Sequence, residues 1–317
     1  MRIERTIPRV RAALAAAAAL LAAGCNLAEV TTEPGEDVVV VEAVLRTDQP
    51  RPAILLHRAL QGRFAGPVTG ASVSVTGDDG VRHVLAEAVG ECYSVASAYA
   101  QSDSIQVDGT CYGSPLDDAG WVRPGGTYDL LVEIGDGRVI RGRTQVPADF
   151  AVPSLPAPRQ GVRLCSLAPG TRFDLLWRRS ENAASYVSEI RIHGLNGRLG
   201  SIGAPEPLEL RGLAISDADT TIALPTEFGV FERFEHGADL LTAIQNGFPA
   251  GVAMELVLAA ADRNWVNSVR GGNFNPSGLI RISTVVGDGV GVFGSLVVKH
   301  GSIQVAANTQ VPRCGVR

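Results

Sequence analysis

The chain has 317 residues, with 28 basic and 33 acidic side chains for a net charge of −5, and 45% of it is hydrophobic, which is enough for two domains of ordinary size. Lys299 is the single lysine, and no cluster of basic side chains forms the stripe that a nucleic-acid partner requires. The composition therefore reads against nucleic-acid binding, and its Arg, Ala, Gly and Val richness reads as a general bias rather than a binding signal.

Arg2, Arg5, Arg9 and Arg11 precede an apolar run from Ala12 to Ala23. That run is shorter than the roughly 20 residues that span a bilayer, and it suits the apolar core of a secretory signal. It ends in LLAAGC. This small-small-Gly-Cys junction resembles the lipobox of bacterial lipoproteins, in which the signal is cut before the cysteine and the cysteine carries the lipid. Residues 1–24 are thus expected to be a signal peptide and Cys25 the lipidated residue. The alternative is an ordinary thiol left by a standard cleavage. Ala22 stands where that family more often has Leu, with Leu21 beside it. Several acyl chains on one residue hold a protein at a membrane where a single chain barely does. Asn26 follows instead of the Asp that favours inner-membrane retention, so the resemblance leans toward the outer membrane and leaves the leaflet open. Without residues 1–24 the net charge becomes −8.

The other cysteines are Cys92, Cys111, Cys165 and Cys314. An even number in an exported chain reads as disulfides, and of three possible pairings adjacency favours Cys92–Cys111 and Cys165–Cys314. No C-x-x-C pair or Cys/His cluster stands at zinc spacing, so neither a metal nor another cofactor is expected.

Residues 25–36 are polar, contain Pro34-Gly35 and read as a tether. From Val38 onward the text is strand-like, in VVVVEAVL, AILLHRAL, ASVSVTG, VRHVLAEA, TYDLLVEIG and RVIRGRTQV. TGDDGV (76–81) and GDGR (135–138) have hairpin-turn chemistry. Alternation places Ala71, Val73 and Val75 on one face. The Pro-rich VPADFAVPSLPAPRQG (146–161) reads as an extended linker. More strand-like runs follow, from TRFDLLW to IQVAAN. Leu240, Leu241 and Ile244 make a helical stripe before Gly247, and residues 262–271 suit a second short helix. The expected class is mainly all-β: two tandem antiparallel β-sandwich-like domains, at 37–147 and 169–317, joined by a linker over 148–168, the second with one or two short helices.

Gly289-Val290-Gly291-Val292-Phe293-Gly294 is a literal G-x-G-x-x-G, but β-branched text follows it where a dinucleotide site needs a helix. A glycine-rich bend in a sheet is the better reading. The five histidines (His57, His83, His193, His236 and His300) are scattered, and no G-x-S-x-G or P-loop is present, so no catalytic residue is assigned. Asp78-Asp79 and Asp117-Asp118 lack calcium-loop spacing and read as solvated turn residues. AADRNWVNSVRGGNFNPSG (260–278) gathers aromatic, Arg and Asn side chains, so Trp265, Arg270, Asn273 and Phe274 are candidate binding residues. The alternative is that Trp265 and Phe274 pin a loop to the core. Trp177 reads as core.

The order VVVVEAVLRTDQP, PVTGASVSVTGDDG, G-x-C-Y, PGGTYDLLVEIGDGR and GRTQVP, with the later GDGVGVFGS, resembles the lipoprotein family of domain of unknown function 4249. Gly70 to Val75, Gly90 to Tyr93 and Pro124 to Val132 also resemble the carboxypeptidase-regulatory-like or transthyretin-like sandwich, from which Cys92 departs. The first resemblance implies an outer-membrane lipoprotein serving a TonB-dependent transporter as an accessory or ligand-binding component, and it supplies no catalytic residues. A surface-anchored hydrolase of glycans or peptides and a structural or adhesive surface protein are the alternatives.

Overall fold

The computed structural model describes residues 37–317 apart from 59–65, 88–91, 93–108, 160, 162, 214–217, 225–237, 271–281, 308–309 and 316–317. The signal segment, Cys25 and the tether lie outside the described residues, as do His236, Asn273 and Phe274.

The first half contributes β1 (Val39–Arg46), β2 (Ala53–Arg58), β3 (Ser72–Gly77), β4 (Arg82–Glu87), β5 (Thr110–Gly113), β6 (Thr127–Glu133) and β7 (Val139–Gln145). The remainder contributes β8 (Arg163–Leu167), β9 (Phe173–Leu176), β10 (Ser185–His193), β11 (Leu208–Leu213), β12 (Thr221–Leu224), β13 (Ala253–Ala261), β14 (Val285–Gly287) and β15 (Gly289–Val305). Helices are short: α1 (Asn196–Leu199), α2 (Ala238–Ile244) and α3 (Arg263–Arg270). With 48% of the described residues in strands and 8% helical, the class is all-β.

Strands pair in the order β11-β10-β13-β15-β1-β2-β5-β4-β3-β6-β7-β14, with β8 added beside β15 and a separate β12-β9 pair. Most ladders are antiparallel; β1–β15 and β8–β15 are parallel. Both hairpin turns form where Gly and Asp stand, closed by Gly77 N–H to Val81 O at 3.0 Å and by Ile134 N–H to Arg138 O at 2.9 Å. Val73 and Val75 are buried and Ala71 packs against the core, as one shared face requires, while Ser74 between them is buried too.

More than a connecting segment joins the two halves. β1 pairs with β15 from Val39–Gly289 to Arg46–Leu296. One main core runs from Val39, Val41, Ala43 and Leu45 through Ile140 and Phe293 to Tyr186, Ile190 and Leu256. The Pro-rich segment, expected to be extended, is instead packed. Phe150, Val152 and Leu155 are buried in that core, and Arg178 N–H donates to Ala151 O at 2.8 Å. Its apolar residues outweigh its prolines, because burying one such side chain is worth about 1.5–3 kcal/mol. β8 also falls within the stretch assigned to the linker.

Tyrosine hydroxyls fasten the loops. Tyr128 donates to Trp121 O at 2.7 Å and accepts from Arg123 N–H at 2.9 Å, while Tyr112 donates to Val68 O at 2.8 Å. Ser180 N–H donates to Tyr186 at 2.6 Å. Such a bond holds an irregular segment on the sandwich without leaving a buried hydroxyl unsatisfied. Both disulfides join the pairs that adjacency favours, Cys92–Cys111 and Cys165–Cys314, and the second clips the C-terminal segment to β8.

The G-x-G-x-x-G stretch lies inside β15 rather than at a helix start. Gly291 has φ 133°, and a Cβ there would come within 2.0 Å of Val41 O, so only glycine lets β1 lie alongside. A Cβ on Gly294 would come within 2.9 Å of Trp265. The motif is thus a packing device for two neighbours of one strand.

Candidate functional site

β13 ends at Ala261, and the next residue, Asp262, starts α3: its Oδ1 accepts the Trp265 N–H at 2.8 Å, the cap that a helix N-terminus needs. The amphipathic helix then lays Trp265 and Val266 onto one face of the sheet, against Val187, Ala259, Ala261, Val292, Leu296 and Val298. Trp265 is 1% exposed. It is therefore a buried anchor of α3 and not a surface contact; the apolar ring is worth more in this second core than in water. Arg270 closes α3.

Asp262 Oδ2 accepts from Thr144 Oγ1 at 2.6 Å, and Thr144 Oγ1 stands 2.8 Å from Ser295 Oγ. A hydroxyl has one proton to give, so when Thr144 gives its own to the carboxylate the Ser295 hydroxyl donates to Thr144. All three side chains are buried. Thr144 faces inward from β7 because period-two alternation sends Arg143 and Gln145 outward. Ser295 faces it from β15. Burial pushes the Asp262 carboxyl up to about 6, against the opposing hydrogen bonds from Thr144 and from the backbone of Trp265, Ser295 and Asn264.

Above this cluster lies a cleft of about 530 Å³, lined by residues from β6, β7, the loop before β10 and the start of α3. Arg143, Gln145, Asn182, Arg263 and Asn264 supply its polar walls, Asp262 and Thr144 its floor, and Ala183 and Ala184 its small apolar part. The loop is fixed by Ala148 N–H to Glu181 O at 2.9 Å and Ala184 N–H to Ala261 O at 2.8 Å. Asn264 Nδ2 donates to Arg143 O at 2.7 Å and Phe293 O at 2.9 Å, which ties the helix start to both β7 and β15. Arg143 stands 3.6 Å from Asp129 with its side chain 72% exposed, so the guanidinium is weakly held and accessible. The arrangement can present guanidinium and amide groups to a polar ligand.

The described histidines each meet a carboxylate elsewhere. His83 Nδ1 lies 2.8 Å from Asp118 and stacks on Trp121 with ring centroids 4.3 Å apart, so Asp118 is a partner of a buried imidazole and more than a solvated turn residue. His300 Nε2 lies 2.8 Å from Asp48, which also takes two bonds from Arg46. Burial would raise the Asp48 carboxyl, but its bonds with His300 and Arg46 outweigh that and hold it well below the usual carboxylate range. His57 is 3.4 Å from Glu42; burial opposes its charge, yet Glu42 and the Arg58 carbonyl raise its pKa. Asp78 and Asp79 meet Arg123.

Of the residues singled out in 260–278, the structure brings Trp265 to the core and leaves the cleft to its neighbours Asp262, Arg263 and Asn264. An Asp just before an apolar helical stretch is a cap signal that marks Asp262. Nothing local marks Thr144, Ser295, Arg143 or Asn182, which converge only through sheet packing.

No family model and no curated protein matches the chain. Among solved structures it is similar to a pullulanase from Anoxybacillus sp. complexed with maltotriose, at 11% identity and TM-score 0.21, over 69% of this chain and 24% of that one. The chain thus spans about a quarter of that enzyme. It is also similar to fibronectin(III)-like modules of Clostridium thermocellum CbhA, at 10% identity and TM-score 0.20, over 84% of this chain and 94% of that one. Neither likeness carries an argument about this chain.

Proposed function

We propose that this chain is a lipid-anchored cell-envelope protein, held at the outer membrane through Cys25, that works by binding a ligand for a TonB-dependent uptake system. The observation that carries this reading is the closing of all four remaining cysteines into two disulfides behind an LLAAGC junction. Disulfides persist in oxidising compartments, and a signal ending in an acylatable cysteine is the route that delivers a chain there and keeps it at a membrane. The polar cleft supports binding as its work, since arginines and amides around a small cavity can orient a ligand. The transporter partner rests on the ordered likeness of residues 38–294 to the lipoprotein family named above.

The test is purification of the tagged full chain from its native envelope in mild detergent, after feeding an alkyne fatty acid. The expected result is a labelled protein that carries a TonB-dependent transporter with it. A Cys25→Ala variant is expected to lose the label and the membrane fraction. Recovery of an unlabelled protein alone from the soluble fraction would overturn the proposal.

A further inference from the structure

The cleft between β7 and the start of α3 has a chemistry more specific than general polarity. Of its ten lining residues, two are arginines, three are side-chain amides and two are threonines, while the apolar surface is limited to Ala183 and Ala184. Among the described residues no aromatic ring lines it, so a neutral sugar finds no face there to stack on. Two guanidiniums favour a planar anion, because their forked donors match a carboxylate in paired hydrogen bonds. Beneath the cleft Asp262 is buried, its two oxygens already accepting from the Thr144 hydroxyl and the Trp265 N–H. Asn182 has φ 63°, making it the one non-glycine among the described residues in the left-handed region. Its turn is held from both sides by Ala148 and Ala261, which presents the amide at the rim of the cleft.

We propose that this cleft binds a small polyhydroxy carboxylate, a sugar acid in chemical class, with Arg143 and Arg263 on the carboxylate and Asn182, Asn264 and Gln145 toward its hydroxyls. This names the ligand class of the binding function above and rests on that reading. The volume lies within the range of about 300–1,000 Å³ that small-molecule sites occupy. Arg143 and Arg263 reach the cleft from solvent, which lets their variants fold. Asp262 and Thr144 lie in the buried layer beneath.

Isothermal titration calorimetry of the full chain in detergent micelles tests this with four probes: galacturonate, gluconate, galactose and inorganic phosphate. Galacturonate or gluconate is expected to bind at submillimolar concentration, with galactose and phosphate at least about tenfold weaker. An Arg143→Gln, Arg263→Gln double variant is expected to weaken the sugar acid by at least about tenfold at an unchanged melting temperature. Absence of heat from either sugar acid up to about 10 mM overturns the proposal. So does equal affinity for galactose, tighter phosphate binding, or an unaffected double variant. Fatty-acid label on Cys25 is read on the same preparation, so loss of the anchor and loss of ligand binding are scored separately.

Discussion

Thr144 and Asp262, 118 residues apart, share a 2.6 Å hydrogen bond inside the sandwich, where the strand that ends the first half meets the residue that starts α3. That bond, continued to Ser295, ties three elements from both halves of the chain beneath the cleft. Buried polar groups of this kind stabilise only while every member is satisfied.

The first consequence is a pH dependence. The Asp262 carboxyl titrates about 6 in the folded chain against 3.8 in the unfolded reference, so between those values the native state binds the extra proton. Stability therefore rises as pH falls from about 7 toward about 4, by up to about 3 kcal/mol from this group. His57, raised above its ordinary value, contributes in the same direction, because its stability is present at low pH and lost as pH rises through its folded pKa. Urea midpoints measured across this range are expected to show that slope, and Asp262→Asn should flatten the part below pH 6.

Removing the donor has a separate effect. Thr144→Val keeps the shape but takes the hydroxyl from both Asp262 and Ser295. A loss of about 1.5–3 kcal/mol is expected at pH 7, as for a bond to a charged group, and a smaller loss at pH 5, where the carboxyl is largely neutral. Chemical denaturation at the two pH values checks it.

The two disulfides should differ in their contribution. Cys165–Cys314 closes 149 residues and Cys92–Cys111 closes 19. Chain-entropy arguments give about 5 and about 3 kcal/mol. Replacing Cys165 and Cys314 by Ala should lower the melting temperature further than replacing Cys92 and Cys111, and should expose the C-terminal segment to protease first.

Gly291→Ala should separate the sheet role of the glycine motif from any ligand role. Its backbone conformation and the approach of Val41 O both refuse a Cβ, so a loss of more than about 2 kcal/mol is expected, with no nucleotide able to restore it. Thermal unfolding with and without added dinucleotide checks both parts.

Much of the local structure was legible because its signals are local. Gly80 and Gly137 sit in turns that hydrogen bonds close, and the Leu240 and Ile244 stripe buries in α2 as spaced. The pairing of β1 with β15 was not legible, since it joins residues some 250 positions apart and neither strand carries a mark of its partner. The same holds for Thr144 and Ser295, each an ordinary inward position of a strand. Trp265 drew attention in the right stretch, but its aromatic ring serves the core and the polar residues before it face the cleft. Proline content suggested an extended segment at 146–161, and the apolar Phe150, Val152 and Leu155 between those prolines decided otherwise.

Intact-mass spectrometry of the protein taken from its native membrane, before and after reduction, tests the proposed anchoring most directly. The expected species lacks residues 1–24, carries acyl mass on Cys25 and has no alkylatable thiol until reduction frees four. A chain that retains residues 1–24, or begins at an unmodified Cys25 with free thiols at 92, 111, 165 and 314, would contradict it.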